Sequence, residues 1–237
     1  MGAHTFPGVM PHGHIEEVFD DVFVLTGTVD FWPMFRVTRN MVIIRQDEEL
    51  SLVNSIRLAP AEEAQLDKLG TVRNLFKLGS SHGMDDPYYV QRYRPTVWAH
   101  RDASHRGSVQ TDKALNDASL PFDGNPFVFE KSVRPECALV IERSGGILIS
   151  CDSVQNWNDF EGCSLPARGF LKAFEFAGPA NVGPKWRQAM EPRGDTFESD
   201  FERLLEHDFR HLISAHGAPL RGSAKVDLGI TVRRIYG

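Results

Sequence analysis

The sequence predicts an α/β protein in which two β-sheets pack against each other and carry helices on their outer faces. Two observations lead to this fold class. Segments rich in β-branched and aromatic residues, which are typical of strands, open the chain and return in its middle. Each group of such segments passes into alternating strand-like and helix-like segments, and this order, met twice, fits two packed sheets with helices outside.

Length and composition are those of a single folded domain. The chain has 237 residues, of which 41% are apolar and 24% are charged, as in ordinary globular proteins. We predict one domain over residues 1–237, with residues 1–18 as a flexible arm. The formal net charge of −6 argues against nucleic acid as a partner, because nucleic-acid binders usually present a basic face. No feature of the sequence indicates the oligomeric state.

Cysteine usage and hydropathy predict a cytoplasmic protein. The 3 cysteines are an odd number without C-x-x-C spacing, which fits a reducing compartment better than a disulfide framework. No run approaches the roughly 18 apolar residues that a membrane helix needs, so we expect no membrane partner. The first residues, MGAHTFPGVMPHGHIEE, lack the apolar core of a signal peptide.

In the first half of the chain, strands precede an alternation of helices and strands. The predicted strands are 21–27, 34–45 and 50–54, with a turn at 47–49. Residues 59–70 predict a helix, because Pro60 suits a first helical turn and Gly70 suits the end. The elements that follow are a strand at 72–78, a helix at 86–93 and a strand at 96–100.

The second half repeats this order. The predicted strands are 126–130, 137–142 and 146–152, with a hairpin turn at 144–146. Residues 160–196 are rich in glycine, proline and aromatic residues and predict a surface excursion with some helix. Residues 196–208 predict an amphipathic helix, since apolar residues share one face and Thr196 is a suitable cap. A strand at 209–217 and a closing helix at 222–237 complete the chain.

Three predicted strands each end in a polar cluster that contains a good metal ligand. The strands end near residues 78, 150 and 214, and the ligands that follow them are His82 with Asp86, Asp152, and His216. Ligands at the ends of neighbouring strands can converge, because the loops there are free to direct side chains to one point. Two imidazoles and two carboxylates suit zinc, and also iron or manganese.

Four segments, met in order, carry a resemblance to a known family. RNMVIIRQDEELSLVNSI resembles its early hairpin, SSHGMDDP its T-H-x-H-x-D-H signature, GGILISCDSVQNW the hairpin ending in its second aspartate, and LISAHGAPLRG its closing strand and final histidine. Over about residues 20–225 the sequence is similar to the metallo-β-lactamase-fold superfamily of metal-dependent hydrolases. This resemblance implies a four-layer αβ/βα sandwich.

The sequence departs from the family pattern at several ligand positions. Met84 stands at the second histidine of the signature and Pro87 at the last one, while Asn54 replaces an aspartate of the early hairpin. The stretch before the strand at 137–142 has no histidine, although Glu136 is close by. The resemblance thus implies a mononuclear site with these retained metal ligands: His82, Asp86, Asp152 and His216.

These residues predict a metal-dependent hydrolase that holds one zinc ion per chain, with iron or manganese as alternatives, and acts on a small-molecule substrate. A bound divalent ion lowers the pKa of its water and polarises a carbonyl or phosphoryl oxygen. Asp86 could be a ligand or could orient that water as a base. Two other interpretations stay open: a catalytically inactive member that binds a small molecule or a protein, and an iron-holding redox or sensor protein.

Each candidate residue also has a structural interpretation. Asp86 precedes Pro87 and a predicted helix, so it could be an N-cap with proline at the first helical position. Asp152 could close a turn, and His82 and His216 could be ordinary loop and strand-end residues. Further histidines and acids that could be auxiliary ligands or merely loop residues are His100, His105, Glu136, and, in the N-terminal arm, His4, His12 and His14.

Overall fold

The structure, a computed structural model, describes residues 6–237 and contains two large β-sheets that pack face to face. The first sheet has seven strands, which lie side by side in chain order. They are β1 (Glu16–Phe19), β2 (Val22–Trp32), β3 (Phe35–Gln46), β4 (Glu49–Val53), β5 (Thr71–Lys77), β6 (Thr96–Ala99) and β7 (Lys113–Ala114). Strands β1 to β4 pair antiparallel, and β4 to β7 pair parallel.

The second sheet has four strands, and a separate pair of strands lies beside it. In chain order these are β8 (Gly124–Val128), β9 (Cys137–Ile141), β10 (Ile147–Ser150), β11 (Val154–Trp157), β12 (Gly178–Val182) and β13 (His211–Ser214). The four-stranded sheet has the order β13-β10-β9-β8, and β11 pairs with β12. Strands β10 and β13 run parallel, so their carboxyl ends reach the same edge of the sheet.

Helices cover the outer faces of both sheets. They are α1 (Pro60–Leu69), α2 (Asp86–Tyr93), α3 (Leu165–Ala173), α4 (Pro184–Met190), α5 (Glu198–Glu206) and α6 (Ala224–Tyr236). Leu66 of α1 and Tyr89 of α2 pack on the first sheet, while Phe201 of α5 and Leu228 of α6 pack on the second. The predicted αβ/βα sandwich is therefore confirmed. None of the helices within residues 6–237 is long and apolar enough to cross a membrane.

Strand β3 of the first sheet is buried on both faces, by the second sheet on one side and by helices on the other. Val42 and Ile44 lie in the apolar cluster between the two sheets, whereas Met41 and Ile43 lie in the cluster under α1 and α2. Successive side chains of a strand point to opposite faces, so a continuous apolar run such as MVII is what a doubly covered strand requires.

Residues 160–196 contain more regular structure than the sequence analysis predicts. They hold α3, β12 and α4, and Trp186 of α4 stacks on Phe197 with ring centroids 4.4 Å apart. Trp186 belongs to the apolar cluster under α5 and α6, whereas Trp157 and Phe160 belong to another cluster. The aromatic residues of this region therefore pack in two separate clusters. Strand β12, which pairs with β11, lies between α3 and α4 in the chain.

Part of the predicted arm is paired with the first sheet. Residues 1–5 lie outside the described residues. His12 forms a β-bridge with Gly27, and its Nε2 accepts the backbone N–H of Ala59 at 2.8 Å. The chain then enters β1, which pairs with β2. Within the segment predicted as an arm, the structure thus shows contacts with the edge of the first sheet at His12 and in β1.

Glu62 of α1 binds the residues that lead into β1. Its Oε1 accepts the Ile15 backbone N–H at 2.7 Å, and its Oε2 lies 2.9 Å from Nδ1 of His14. Burial alone would raise the pKa of Glu62, but the Ile15 N–H and His14 outweigh burial and lower that pKa below its ordinary value. The folded protein therefore favours the charged carboxylate.

We expect Glu62→Ala to lower the free energy of unfolding at neutral pH by about 1–3 kcal/mol, because the Ile15 N–H loses a charged acceptor. Since the folded pKa is lowered, this contribution is present above the ordinary glutamate value of 4.5 and is lost as the pH falls through the folded pKa. Urea denaturation of both proteins along a pH series measures the difference. Glu198→Ala, at an exposed first-turn position of α5, is the matched control, and an equal loss there would contradict the role of Glu62.

Candidate metal centre

Three of the four predicted ligands meet at the carboxyl ends of strands. His82 follows β5, Asp152 follows β10 and His216 follows β13. Ser150 and Ser214 stand opposite each other in the parallel ladder of β10 and β13, so Asp152 and His216 emerge at the same level. Because β5 belongs to the first sheet, the three ligands lie across the boundary between the two sheets.

The ligand atoms are close together. Oδ1 of Asp152 lies 3.4 Å from Nε2 of His82 and 3.2 Å from Nε2 of His216. The two imidazole rings have centroids 5.2 Å apart. One ligand atom from each residue therefore lies within 4.8 Å of the other two. A metal ion placed among them would need no large movement of the chain.

His216 is held in one orientation by its surroundings. Its Nδ1 lies 2.7 Å from the backbone carbonyl oxygen of Thr38, a distance at which Nδ1–H donates to that carbonyl. The indole ring of Trp157 stacks on the imidazole with centroids 5.9 Å apart and planes inclined by 16°. The hydrogen bond to Thr38 and the stacking on Trp157 together direct Nε2 of His216 towards Asp152. A ring N–H bonded to a backbone carbonyl is a usual outer contact of a metal-ligating histidine.

The electrostatics of the site favour a cation between the ligands. Burial alone would raise the pKa of Asp152, but the charge of His82 and the hydrogen bond with His216 hold that pKa well below its ordinary value. Burial alone would lower the pKa of His216, but the hydrogen bond and charge of Asp152 raise it overall. The Asp152 carboxylate thus faces Nε2 of both imidazoles, and a cation placed between these atoms would be attracted to the carboxylate.

The donor set fits a divalent metal ion. Two imidazole nitrogens and one carboxylate oxygen are the ligand types of many zinc sites, and iron and manganese accept them as well. Three protein ligands leave a coordination position open, which is the arrangement of catalytic rather than structural zinc sites. His82, Asp152 and His216 are therefore the residues that could hold the ion.

Glu136 binds the backbone of Asp152 and so helps to position this ligand. Its Oε1 accepts the backbone N–H groups of Asp152 at 3.1 Å and Ser153 at 3.0 Å, while its Oε2 has no protein partner. Burial, together with the charge of Asp152, raises the pKa of Glu136 well above its ordinary value. The structure thus shows Glu136 bound to the backbone of the ligand loop, and Glu136 is not in the group of three ligands.

We expect Glu136→Gln to gain stability relative to the natural protein as the pH rises. A folded pKa above the unfolded one means that folding retains a proton, so stability falls as the pH rises above the ordinary glutamate value of 4.5. Glutamine has no such proton to lose, so the difference in the free energy of unfolding between the two proteins should widen in favour of Glu136→Gln as the pH rises from about 4 to about 8. Denaturation of the chelator-treated proteins measures it, and a difference independent of pH would contradict the protonated acid.

Asp86 lies outside the group of three ligands. It is buried at the first residue of α2, and its Oδ1 accepts the hydroxyl of Ser55 at 2.7 Å. The N-cap of α2 is Asp85, one residue earlier than the sequence analysis predicts, and its carboxylate pairs with Nη2 of Arg39 at 2.8 Å rather than capping the helix. The roles of Asp86 as metal ligand and base stay predictions.

The remaining candidate residues bond elsewhere. Nε2 of His100 lies 2.9 Å from Nδ2 of Asn116, which follows β7, and Nε2 of His105 lies 2.8 Å from Oγ1 of Thr111, which lies with it in the loop between β6 and β7. His12 and His14 bond near α1, and His4 lies outside the described residues. Met84, at the place of a family histidine, is half-buried.

Three contacts of the site escape sequence reasoning. Trp157 and the carbonyl of Thr38 orient His216. Trp157 ends the segment GGILISCDSVQNW, but nothing in that segment or around Thr38 predicts a contact with His216. Lys77 ends β5 and is buried, although an isolated lysine at a strand end usually indicates an exposed position. Only the pairing of distant segments reveals these three contacts.

Solved metallo-β-lactamase structures share this fold over nearly the whole chain. They include VMB-1 (9% identity, covering 97% of this chain and 100% of that chain, TM-score 0.63), FIM-1 of Pseudomonas aeruginosa in its mono-zinc form (12%, 97% and 98%, 0.59) and the metallo-β-lactamase of Erythrobacter litoralis (11%, 96% and 96%, 0.58). No protein-family model and no curated protein matches the sequence. The chain therefore has the metallo-β-lactamase fold, as its motifs predict.

Proposed function

We propose that this chain is a metal-dependent hydrolase with a mononuclear site formed by His82, Asp152 and His216. The observation that carries the proposal is the convergence of one ligand atom from each residue within 4.8 Å. Support comes from the fold, since its solved neighbours are metallo-β-lactamases, and one of them is described in a mono-zinc form. Zinc is the proposed ion, with iron or manganese as alternatives that the same donors accept.

The bound ion would supply a Lewis acid that activates water at neutral pH. Asp152 would provide the negative charge that holds the ion, because its pKa lies well below the ordinary value. Thr38 would keep Nε2 of His216 free of its own proton by accepting the Nδ1–H. Asp86 remains the proposed proton acceptor, because burial raises its pKa above the ordinary value although the Ser55 hydrogen bond and Lys77 oppose that rise.

The proposed substrate is a small molecule. A groove of about 540 Å³ passes beside the His216 loop and is lined in part by Thr38, Gly162 and Gly217. That volume is in the range of small-molecule sites. A cytoplasmic location is proposed with it, and the three cysteines support this, because all of them are free and buried.

A non-catalytic binding module is the second candidate. Met84 occupies a family histidine position, and Asp86 is turned to Ser55 rather than to the three ligands. These two observations favour a site that has lost ligands. In that case the groove would bind a small molecule or a protein segment without hydrolysing it.

Elemental analysis of protein purified without a His-tag or chelator tests the proposal. We expect about one zinc per chain, followed by metal-dependent turnover in a panel of ester, amide, thioester and phosphoester substrates. Turnover must vanish on metal removal and return with zinc. No metal after incubation with excess zinc would contradict the hydrolase and favour the binding module, whereas iron as the resident metal would favour the redox or sensor protein.

A further inference from the structure

The hairpin formed by β2 and β3 ends in an exposed apolar tip. Phe31, Trp32 and Met34 form this tip, and 66% of Trp32 and 82% of Met34 are exposed. Strands β1 and β4 pair with the other ends of β2 and β3, so the hairpin extends past its neighbouring strands. Exposed apolar side chains that occur singly need no explanation, whereas a cluster of them marks an interaction surface.

Helix α3 lies against the hairpin and enlarges the apolar surface. The Trp32 ring lies 5.4 Å from the Phe35 ring, which lies 5.4 Å from the Phe170 ring. Phe170 in turn contacts Phe174, with centroids 4.4 Å apart, and Leu165 at the start of α3 is exposed. Five of the nine large apolar side chains that are exposed within residues 6–237 therefore lie on the hairpin tip or at the two ends of α3. The tip surface comprises residues 28–37, 163–175 and 184–185.

Basic side chains surround this apolar surface. Arg168 follows Leu165 by three residues and Lys172 follows Arg168 by four, so the three side chains share one face of α3. All three are exposed. At the other end of α3, Nζ of Lys185 in α4 lies 4.4 Å from the centroid of the Phe174 ring. Apolar side chains and cations therefore occur together on one continuous surface.

Acidic side chains do not cancel this positive charge. Asp30 of the hairpin is paired with Arg36, with Nε of the arginine 2.8 Å from Oδ1 of the aspartate. Asp159 and Glu161, which precede α3, line the groove of the proposed substrate site instead. The tip surface has four basic and two acidic side chains, so its net charge is +2. Because the whole chain has a net charge of −6, the rest of the chain has a net charge of −8.

An anionic lipid bilayer fits this surface. The tip is the turn of a projecting hairpin, and it is therefore shaped to enter an apolar phase rather than to enclose a peptide. Tryptophan side chains favour the boundary between lipid headgroups and acyl chains, and nearby lysine and arginine side chains attract anionic headgroups. The expectation of no membrane partner rests on the lack of a spanning segment, and attachment at the bilayer surface requires none.

We propose that the tip surface docks this protein on an anionic lipid bilayer, with the apolar tip among the headgroups and the cations of α3 and α4 beside the phosphates. The inference goes beyond the proposed function and requires no metal ion. Salt screens charges over about 10 Å, so the local charge of +2 governs the contact although the chain as a whole is acidic. The acidic remainder is repelled from the bilayer, which leaves one orientation of attachment.

Trp32 allows this contact to be observed directly. Trp98, Trp157 and Trp186 are buried, whereas Trp32 is exposed on the tip. The probe is a vesicle made of equal parts of phosphatidylcholine and phosphatidylglycerol, with or without brominated acyl chains, which quench tryptophan emission on contact. Sedimentation at low ionic strength measures the bound fraction of the natural protein and its variants, and the emission measures insertion of the tip.

We expect the natural protein to bind these vesicles and the brominated lipid to quench its Trp32 emission. Trp32→Phe should still bind while the quenching disappears, because phenylalanine keeps the apolar contact. The double variant Phe31→Ser, Trp32→Ser should lower the partition coefficient by about tenfold or more, because two apolar side chains no longer leave water. Val226→Ser, at an exposed position of α6, is the matched control and should bind as the natural protein does.

The charge of the tip surface is tested in the same assay. Lys172→Glu should weaken binding by about fivefold or more, because an attraction to the anionic headgroups becomes a repulsion. Lys68→Glu, which makes the same change at an exposed position in the last turn of α1, is the matched control and should leave binding unchanged. Added salt should weaken the binding of the natural protein, since salt screens the attraction.

Three results would overturn the inference. The first is no binding at low ionic strength, or unchanged binding of the double variant, since the tip would then not meet the bilayer. The second is equal binding to vesicles of pure phosphatidylcholine, which would exclude recognition of an anionic surface. The third is a doubling of mass with concentration in light scattering that the double variant loses, without vesicle binding, because the tip surface would then be an interface between two copies of this chain.

Discussion

Replacing Asp152 by asparagine should lower the zinc affinity by more than about 100-fold while the protein stays folded. Asp152 is the shared contact of the site, since its Oδ1 is the atom near both His82 and His216. Loss of outer contacts alone costs metal sites about 10–100-fold, and Asp152 is the anionic ligand itself. The amide keeps the shape of the side chain, and the Asp152 backbone N–H still donates to Glu136.

Zinc titration against a competing chelator measures the loss, and circular dichroism verifies the fold. Asp47→Asn is the matched control, because it makes the same change at an exposed turn between β3 and β4. His216→Ala should reproduce the loss of metal. Full metal content in both Asp152→Asn and His216→Ala would place the binding site elsewhere and contradict the proposed function.

Replacing Gly217 by alanine should lower the free energy of unfolding by about 3 kcal/mol or more and weaken metal binding as well. Gly217 has φ +78°, a backbone conformation that side chains disfavour, and a Cβ there would collide with the carbonyl oxygen of Asn156. That oxygen accepts the Ala218 N–H at 3.1 Å and belongs to the paired strand β11, which cannot simply move away. The strain would displace His216, the residue just before it.

Gly222→Ala separates backbone strain from this collision. Gly222 has a similar φ of +83°, but a Cβ there would meet nothing within 4 Å. Its cost should therefore be about 1 kcal/mol, with zinc affinity unchanged. Thermal unfolding and zinc titration of both variants decide the matter, and equal effects at the two positions would contradict close packing at Gly217.

The sequence predicts that ligand residues after the strand ends converge, but it does not predict the contacts of the Asp86 side chain. The meeting of His82, Asp152 and His216 is predictable, because apolar runs in the sequence mark where strands end. Parallel neighbours such as β10 and β13 also end at the same edge of a sheet. Asp86 lies on a helix start, where its side chain depends on Ser55 and Lys77 from other segments. Such long-range polar contacts leave no periodic signal in a single sequence.

Glu136 illustrates a second limit of sequence reasoning. Its place before β9 makes it a candidate substitute for a lost histidine ligand, and the structure does bring it next to the site. Which of its neighbours it binds depends on the backbone N–H groups that the loop after β10 turns towards it. Composition and spacing carry no information on that direction.

The N-terminal segment makes contacts that its local composition does not predict. Histidine, glycine and proline in residues 1–18 indicate a flexible arm. His12 nevertheless bonds to the start of α1, and Glu62 binds the next residues of the edge through the Ile15 N–H. A buried acid in a helix otherwise rich in exposed side chains is the signal that could have located this contact.

The position of the ligands across the two sheets has a mechanical consequence. His82 belongs to the first sheet, whereas Asp152 and His216 belong to the second, so an ion bound by all three would act as a cross-link between the halves of the sandwich. Such a cross-link stabilises the docked halves in proportion to the logarithm of free metal concentration. Its removal would let this end of the sandwich open before the rest, and hydrogen exchange would then rise first at the ends of β5, β10 and β13.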